Sequence, residues 1–330
     1  MPELPEVQTT VNGLNSTVIG LRISDVWSDY NSAYFKGSGN IKDQKYFSYF
    51  KKQIVGQKIV AVSRRAKNIL ISLENDKTIL IHMKMTGHLM FGKYRFDSSL
   101  AKNIAKISAK NPAQSVKQKD KMINKSPWFP VSPDSLKDPF NRHIYFVISF
   151  SNNKNLALSD SRKFAKITLI DSKTAHNSEH LRNLGPEPLN ADFTFDKFLS
   201  RMNLCLNRKI KQAITDQEII AGIGNIYADE SLWRAGIHPE ELVKNISSVK
   251  LRDLFKAIKQ TLTKGIDLGG DSMSDYRNIH GEKGRFQEQH YAYQKTGTKC
   301  ARAGCDGTIV RIVVGTRSTH LCNKHQRLNS

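Results

Sequence analysis

The hydrophobic positions at the start of the chain repeat with the period of an α-helix. Val7, Val11, Leu14 and Val18 lie three or four residues apart, and Pro5 falls near the first turn, where proline is tolerated. The pattern predicts a helix that begins at the N-terminus.

Shorter apolar runs follow, and turn residues such as Gly56, Asn75 and Asp76 separate the first of them. The runs lie at residues 54–81, 144–150, 156–160 and 164–171. We expect them to form an antiparallel β-sandwich with helices at its margins. This sandwich would make up most of an N-terminal domain of residues 1–176.

Within that domain, residues 97–139 differ in composition from their surroundings. The stretch is rich in lysine and serine and shows little periodicity. Such sequences rarely bury enough apolar surface to order themselves. We interpret the stretch as a basic, mostly disordered insertion between two strands. A solvated loop without specific function is the favoured interpretation, although its lysines could add non-specific affinity for phosphates.

The second half of the chain changes from strand to helix patterns. Residues 177–194, which include LGPEPLNADF, have the composition of a linker, and residues 195–268 carry mostly helical patterns. From residue 269 to 330 the chain becomes irregular and ends in a cysteine-bearing, hairpin-like segment. The sequence therefore predicts an α+β multidomain protein.

The charge of the chain indicates a polyanionic partner. Its 330 residues include 51 Lys+Arg and 30 Asp+Glu, for a formal net charge of +21. Nucleic acid is the usual partner of such a protein. We find no apolar run long enough to span a bilayer and no signal peptide in MPELPEVQTT. We therefore expect a cytoplasmic protein, whose cysteines are thiols or metal ligands rather than disulfides.

The first residues offer a nucleophile. If Met1 is removed, Pro2 carries a free secondary amine, and an α-amino group titrates near pH 8, well below a lysine. A helix N-terminus lowers that pKa further, because its dipole disfavours a cation. Such an amine can attack a sugar's anomeric carbon and form an iminium. Glu3 and Glu6 can both lie near it, and Glu3 is a candidate general acid. Taken alone, the two acids are equally typical of an ordinary first helical turn.

The last cysteines have the spacing of a zinc site. Cys300, Cys305, Cys322 and His325 give C-x₄-C-x₁₆-C-x₂-H, and four such ligands suit a tetrahedral, structural zinc ion. His320 is an alternative fourth ligand.

Several motifs, taken together, resemble those of bacterial formamidopyrimidine-DNA glycosylase. They are MPELPEV, the RRAK of residues 64–67, DSRKF, GIGN and the cysteine spacing. The resemblance covers nearly the whole chain outside residues 97–139. It implies an N-terminal antiparallel β-sandwich flanked by helices, a helix–two-turn–helix domain and a zinc-finger β-hairpin. It also implies that residues 278–287 correspond to the loop that closes over a flipped base.

The resemblance assigns roles to individual residues. It implies that Pro2 is the nucleophile, that Glu3 is the general acid, and that Lys67 and Arg317 contact phosphates at the lesion. The residues expected to bind DNA are Glu6, His82, Met85, Arg162, Phe164, Lys211 and Asn225. Two departures stand out: Ser161 replaces a proline of the family motif, and His325 replaces its last cysteine.

These features imply a base-excision repair glycosylase and AP lyase that removes oxidised purines, 8-oxoguanine and formamidopyrimidines, by β,δ-elimination. One structural zinc ion, a double-stranded DNA partner and a monomeric state are expected. An endonuclease VIII-like enzyme for oxidised pyrimidines is the first alternative, disfavoured by Leu4, where that group has glycine. A non-catalytic zinc-finger DNA-binding protein is the second, disfavoured by the intact Pro2, Glu3 and Lys67.

Overall fold

Two antiparallel β-sheets form the body of the N-terminal half in this computed structural model, which describes residues 1–30, 35–102 and 126–328. In spatial order, the first sheet contains β1 (Ile23–Ser28), β7 (Ile144–Phe150), β8 (Asn155–Ser159), β5 (His88–Phe96) and β6 (Trp128–Ser132). The second contains β2 (Ile59–Arg65), β3 (Asn68–Leu73), β4 (Lys77–His82) and β9 (Lys166–Asp171). The predicted β-sandwich is confirmed.

Helices α1 (Leu4–Thr17) and α2 (Gln44–Ile54) pack at the margins of the sheets. The predicted apolar face of α1 enters the core between them: Val7, Val11 and Leu14 are at most 3 % exposed. The N-terminal helix is therefore confirmed. Its first residue, Leu4, belongs instead to the core of the C-terminal half. The start of α1 thus lies at the junction of the two cores.

The expected disorder of residues 97–139 is wrong for residues 126–139. Strand β6 pairs with β5, the Trp128 ring lies 5.0 Å from that of Phe96, and Leu136 is buried. Two 3₁₀ turns follow, Asp134–Lys137 and Pro139–Arg142. These few apolar side chains order the segment by packing on a neighbouring strand, and such contacts leave no periodic signal in the sequence. Residues 103–125 of the predicted insertion lie outside the described residues.

The C-terminal half is helical and ends in a hairpin. Its elements are α3 (Phe195–Asn203), α4 (Ile210–Thr215), α5 (Asn225–Ala235), α6 (Ser248–Asp267), β10 (Ile309–Val314) and β11 (Arg317–Cys322). A core that includes Phe198, Tyr227 and Leu254 holds the helices together. Among the described residues, no helix is both long and apolar enough to cross a membrane.

Glu187, in the segment that joins the two halves, ties them together. Its carboxylate lies 2.6 Å from Arg64 Nη1 and 3.0 Å from Arg65 Nη1, and it accepts a hydrogen bond from the Ala66 backbone N–H. All three donors lie at the β2–β3 turn, which also carries Lys67. A glutamate that is 9 % exposed therefore positions Lys67 against the C-terminal half.

Candidate active site and DNA interface

Pro2 is buried immediately before α1, and Glu3 forms the N-cap of that helix. The Glu3 carboxylate crosses to the C-terminal half, where its Oε1 accepts a hydrogen bond from the Ile226 backbone N–H at 3.1 Å. Within the described residues, its Oε2 is buried and accepts no hydrogen bond. A buried acceptor without a donor is costly, so this oxygen is placed to meet a proton or a ligand donor.

Two glycines before α5 make room for the first residues of the chain. A Cβ on Gly224 would lie 2.2 Å from Glu3 Cδ, and a Cβ on Gly222 would lie 2.6 Å from Leu4 Cδ1. Gly222 also has a φ of +88°, a conformation that favours glycine. The GIG sequence is thus shaped around Glu3 and Leu4, an observation that the motif alone did not indicate.

Glu6 is buried and faces the interior rather than an open surface, and its expected role in DNA binding stays a prediction. Its carboxylate accepts hydrogen bonds from the Glu3 backbone N–H at 2.7 Å, the Tyr227 hydroxyl at 2.6 Å and the Asp271 backbone N–H at 2.7 Å. Burial, reinforced by the Glu3 carboxylate, raises the pKa of Glu6 to about 7. Glu6 therefore connects the N-terminus, α5 and the chain after α6.

Lys67 lies beside this group, at the turn between β2 and β3. Its Nζ donates a hydrogen bond to the Ile223 carbonyl at 3.0 Å, within the same glycine turn. Burial lowers the pKa of Lys67, and the Glu3 carboxylate acts against that shift. Lys67 and Glu3 thus converge on the start of α5.

His82, at the end of β4, is held as a neutral ring. Burial first, and then Lys84 and Lys67, lower its pKa to about 3. Its Nδ1 accepts a hydrogen bond from the Lys84 backbone N–H at 3.0 Å, which leaves the proton on Nε2. A neutral N–H of this kind can donate to a phosphate without carrying a charge.

Lys211 and Asn225 have their donors committed to the hairpin. Lys211 Nζ lies 2.5 Å from Asp229 Oδ1 and 2.7 Å from Thr319 Oγ1, and it is only 1 % exposed. Asn225 Nδ2 donates to the Ser318 carbonyl at 3.0 Å. Both side chains therefore hold β11 in this structure. The contacts with DNA phosphates that the resemblance implies for them stay a prediction. Arg317, at the start of β11, is exposed.

Met85 and Phe164 project from two neighbouring loops and are 42 % and 46 % exposed. The Arg162 guanidinium lies 4.4 Å from the centre of the Phe164 ring. The two loops are joined by a hydrogen bond from the Arg162 backbone N–H to Thr86 Oγ1 at 3.3 Å. Arg162 therefore lies against Phe164, and the loop that carries Met85 is bonded to the loop that carries them.

Asp160 holds the loops that carry Met85 and Phe164 in place through buried hydrogen bonds, a role that sequence analysis missed. Its carboxylate accepts hydrogen bonds from Thr86 Oγ1 at 2.5 Å, the Tyr30 hydroxyl at 2.9 Å and the Ala165 backbone N–H at 2.8 Å. It is fully buried. Its place at the head of DSRKF was the only available signal.

The four predicted zinc ligands meet at one point. The ligand atoms of Cys300, Cys305, Cys322 and His325 all lie within 4.8 Å of one another, so they could hold one metal ion. With Nδ1 facing the sulfurs, His325 Nε2 lies 3.1 Å from the Trp233 carbonyl, which would fix the ring for coordination. His320 lies elsewhere, with Nδ1 3.1 Å from Asp229 Oδ2. The donor set and its spacing fit a structural zinc ion.

This arrangement, on this fold, defines a DNA glycosylase of base-excision repair. Two family models match the chain: the formamidopyrimidine-DNA glycosylase N-terminal domain over residues 1–167 and the formamidopyrimidine-DNA glycosylase H2TH domain over residues 184–277. The chain belongs to the formamidopyrimidine-DNA glycosylase family.

Individual relatives agree with this assignment. A formamidopyrimidine-DNA glycosylase of Herpetosiphon aurantiacus is 33 % identical over 322 residues, which cover 98 % of both chains. A Lactococcus lactis Fpg mutant solved with Fapy-dG containing DNA has a TM-score of 0.76 at 27 % identity and covers 99 % of this chain and 100 % of its own. The Lactococcus lactis Fpg in complex with abasic site containing DNA has a TM-score of 0.76 at 27 % identity, over 98 % of this chain and 99 % of its own.

Proposed function

We propose that this glycosylase excises oxidised purines from double-stranded DNA and then cuts the strand as an AP lyase, with the Pro2 amine as nucleophile. One observation carries the proposal. Glu3 follows Pro2 in the chain, and its Oε2 is buried without a hydrogen-bond partner among the described residues. A nucleophile and an acid or base within reach of it are the minimum that such chemistry requires.

The reaction begins when the Pro2 nitrogen, freed by removal of Met1, attacks C1′ of the damaged nucleotide. The N–C1′ bond forms as the bond to the base breaks, and Glu3 supplies a proton to the sugar ring oxygen or the leaving base. Ring opening gives an iminium, because the amine is secondary. That cation withdraws electrons, so loss of a C2′ proton expels the 3′ phosphate, and a second elimination expels the 5′ phosphate.

The charged groups around Pro2 support this series of reaction steps. The start of α5 presents its backbone N–H groups, and Lys67 adds a buried ammonium beside Glu3. Positive charge at this point lowers the pKa of a nearby amine and attracts the phosphates on either side of the sugar. We assign the phosphate contacts to Lys67, His82 and Arg317, with Lys211 and Asn225 holding β11 in position.

Base extrusion is assigned to the exposed pair of loops. Met85 and Phe164 are apolar side chains in water, and an apolar wedge of this type can fill the gap left by a flipped base. The Arg162 guanidinium, which lies over the Phe164 ring, can bond the orphaned partner base. The Lactococcus lactis relatives solved with Fapy-dG and abasic-site DNA support a purine lesion and an abasic intermediate for this chain.

We further assign one structural zinc ion to Cys300, Cys305, Cys322 and His325, in a protein that acts as a monomer. The ion would hold the β10–β11 hairpin, and thus Arg317, against α5. It contributes no catalytic step, because all four ligands come from the chain and leave no open position.

Borohydride trapping tests the proposal. The purified protein is incubated with a duplex containing 8-oxoguanine opposite cytosine, and in parallel with a dihydrouracil duplex. We expect faster trapping on the purine lesion, with the adduct mapped to Pro2, and a large loss of trapping in Pro2→Gly, which keeps an α-amine but not the secondary amine; full activity of Pro2→Gly would refute the assignment. Trapping mainly on dihydrouracil would assign the chain to the pyrimidine-specific alternative. Tight DNA binding by protein lacking Met1, without an adduct on either duplex, would support the non-catalytic alternative.

A further inference from the structure

A basic cleft lies beside Lys67, where β4 ends and β9 begins. It encloses a cavity of about 180 Å³ that is open to solvent. Lys67, His82, Lys84, Lys166 and His180 all contribute to its walls, and the described lining residues include no carboxylate. Only the first two of these residues were singled out by the sequence.

The sheet brings the additional groups together. His82 pairs with Lys166 across β4 and β9, and Lys84 follows His82 by two residues. Lys166 Nζ lies 3.4 Å from His180 Nδ1. Paired strands therefore hold His82 and Lys166, whereas Lys84 and His180 lie in turns beside them.

Lys84 adopts a backbone conformation that lysine rarely takes. Its φ is +57°, in the left-handed region, which is unfavourable for a residue with a Cβ. Glycine would avoid that strain. Lys84 therefore lines the cleft in a strained conformation, which is common at functional sites.

The positive groups of the cleft have little internal compensation. Burial lowers the pKa of Lys84, and Lys166 lowers it further. Burial and the two lysines also lower the pKa of His180, which Glu179 opposes. Glu179 Oε1 lies 3.8 Å from Lys166 Nζ and 3.3 Å from His180 Nε2, but its side chain is 73 % exposed. An anion in the cleft would relieve the repulsion between the lysines and accept hydrogen bonds from their ammonium groups.

We propose that Lys84 and Lys166 bind a second phosphodiester of the damaged strand, next to the one assigned to Lys67 and His82, and that His180 positions the Lys166 ammonium group. The inference rests on the proposed function, because the strand must pass Lys67 for its next phosphate to reach the cleft. A phosphodiester suits the site, since two ammonium groups supply donors around a single anion.

The test is a charge-neutralisation scan. The probe is a duplex with an uncleavable tetrahydrofuran abasic analogue, made as a series in which a single methylphosphonate replaces each backbone phosphate around it. Dissociation constants are measured for the wild type, for Lys84→Gly combined with Lys166→Gln, and for Lys77→Gln. Glycine relieves the positive φ at residue 84, so the double variant is expected to fold. Lys77 is a matched control, because it lies at the other end of β4 and its side chain is 31 % exposed, as is that of Lys166.

We expect the double variant to bind the unmodified duplex roughly tenfold more weakly, with a salt dependence shallower by about one phosphate. One methylphosphonate position should weaken the wild type and Lys77→Gln but leave the double variant unaffected. Equal losses in all three proteins at every position would overturn the proposal. The proposal would also be overturned if the double variant bound more weakly only to a nicked product duplex that carries a terminal phosphate, and not to the intact duplex. If Lys84-dependent binding is present but no Pro2 adduct forms on any lesion, the proposed function fails while the phosphate site stands.

Discussion

The carboxylate of Glu3 occupies the space that a side chain on Gly224 would need. A Cβ at that position would lie 2.2 Å from Glu3 Cδ and 2.4 Å from Oε1. The backbone of α5 can therefore approach the acid closely enough for the Ile226 N–H to bond it. The glycine turn and the N-terminus form one structure, although 220 residues separate them in the chain.

Gly224→Ala is expected to displace Glu3. The added methyl group must push the carboxylate from its hydrogen bond, so borohydride trapping on an 8-oxoguanine duplex should slow by roughly 100-fold or more, since misplacement by about 1 Å is enough for such a loss. Gly297→Ala is the control, because a Cβ there meets nothing within 4 Å. It should lose about 1 kcal/mol of stability through its positive φ and keep full trapping. Equal trapping by the two variants would contradict the role of Gly224.

Glu6 is expected to make stability depend on pH. Its pKa is raised from 4.5 to about 7 in the folded protein, so folding favours the protonated form. The corresponding stabilisation is complete below about pH 4.5 and is lost as the pH rises through 7, a change of up to about 3 kcal/mol. Urea unfolding between about pH 4.5 and about pH 8 should show this decline in the wild type.

The variant Glu6→Gln removes the titrating group and should flatten that decline. Glu288→Gln, at an exposed glutamate, should retain it. A decline of the same size in Glu6→Gln would assign the pH dependence to another group.

Met85→Ala and Phe164→Ala are expected to separate base excision from strand cleavage. Extruding a base costs a few kcal/mol, which the wedge residues help to offset, whereas an abasic site has no base to extrude. Excision of 8-oxoguanine should therefore slow by roughly 10- to 100-fold, and cleavage of a preformed abasic site should change little. Phe129→Ala, at a phenylalanine that is 37 % exposed on β6, should affect neither rate. Parallel losses of both activities would assign these residues to general DNA binding.

The parts of the site that could be predicted from sequence are those carried by compact motifs. Met85, Arg162 and Phe164 do share one surface, and the zinc ligands do meet at one point. Contacts between distant segments left no such signal. The Glu187 carboxylate pairs with Arg65 at the β2–β3 turn. The Asp229 carboxylate contacts both Lys211 and His320. These pairings depend on how distant segments of the chain pack together. Buried polar partners of this type become visible only once the chain is folded.

The same limit explains why the burial of Glu6 could not be predicted. A glutamate in a first helical turn commonly faces solvent and the helix dipole. Here Tyr227 and the Asp271 backbone close over it from the C-terminal half. In the sequence, Glu6 has the pattern of an exposed acid. Only the packing of the C-terminal half against α1 buries it.

Zinc content should identify the fourth metal ligand. The wild type and His320→Gln are expected to contain about one zinc ion per chain, as does a four-ligand structural site. Cys322→Ser should lose it, and His325→Cys should keep it because a thiolate can replace the ring. Removing zinc from the wild type with a chelator should loosen β10 and β11, measured by hydrogen exchange, and weaken DNA binding through Arg317. Loss of zinc from His320→Gln with retention in His325→Ala would reverse the assignment.

Arg277 is expected to control the order of the 271–285 loop. Its guanidinium is 1 % exposed, lies 3.2 Å from Asp138 Oδ1 and stacks 4.5 Å from the centre of the Phe140 ring. Ser135 Oγ and Asn141 Nδ2 add hydrogen bonds to the His280 and Gly281 carbonyls, at 2.6 Å and 3.2 Å. The segment that sequence analysis took for disordered is therefore the surface on which this loop rests.

Replacing Arg277 by methionine keeps much of its volume but removes the ion pair and its hydrogen bonds. Because hydrogen bonds to charged groups contribute about 1.5–3 kcal/mol, amide exchange in the loop should accelerate by roughly 10- to 100-fold. Arg285→Met, at an exposed arginine in the same loop, should leave exchange unchanged. If residues 278–287 close over an extruded base, as the family resemblance implies, this loop must remain docked long enough for the proposed attack by Pro2. We therefore expect Arg277→Met to slow 8-oxoguanine excision while cleavage of a preformed abasic site continues. Unchanged exchange in this variant would show that the 126–142 segment does not hold the loop.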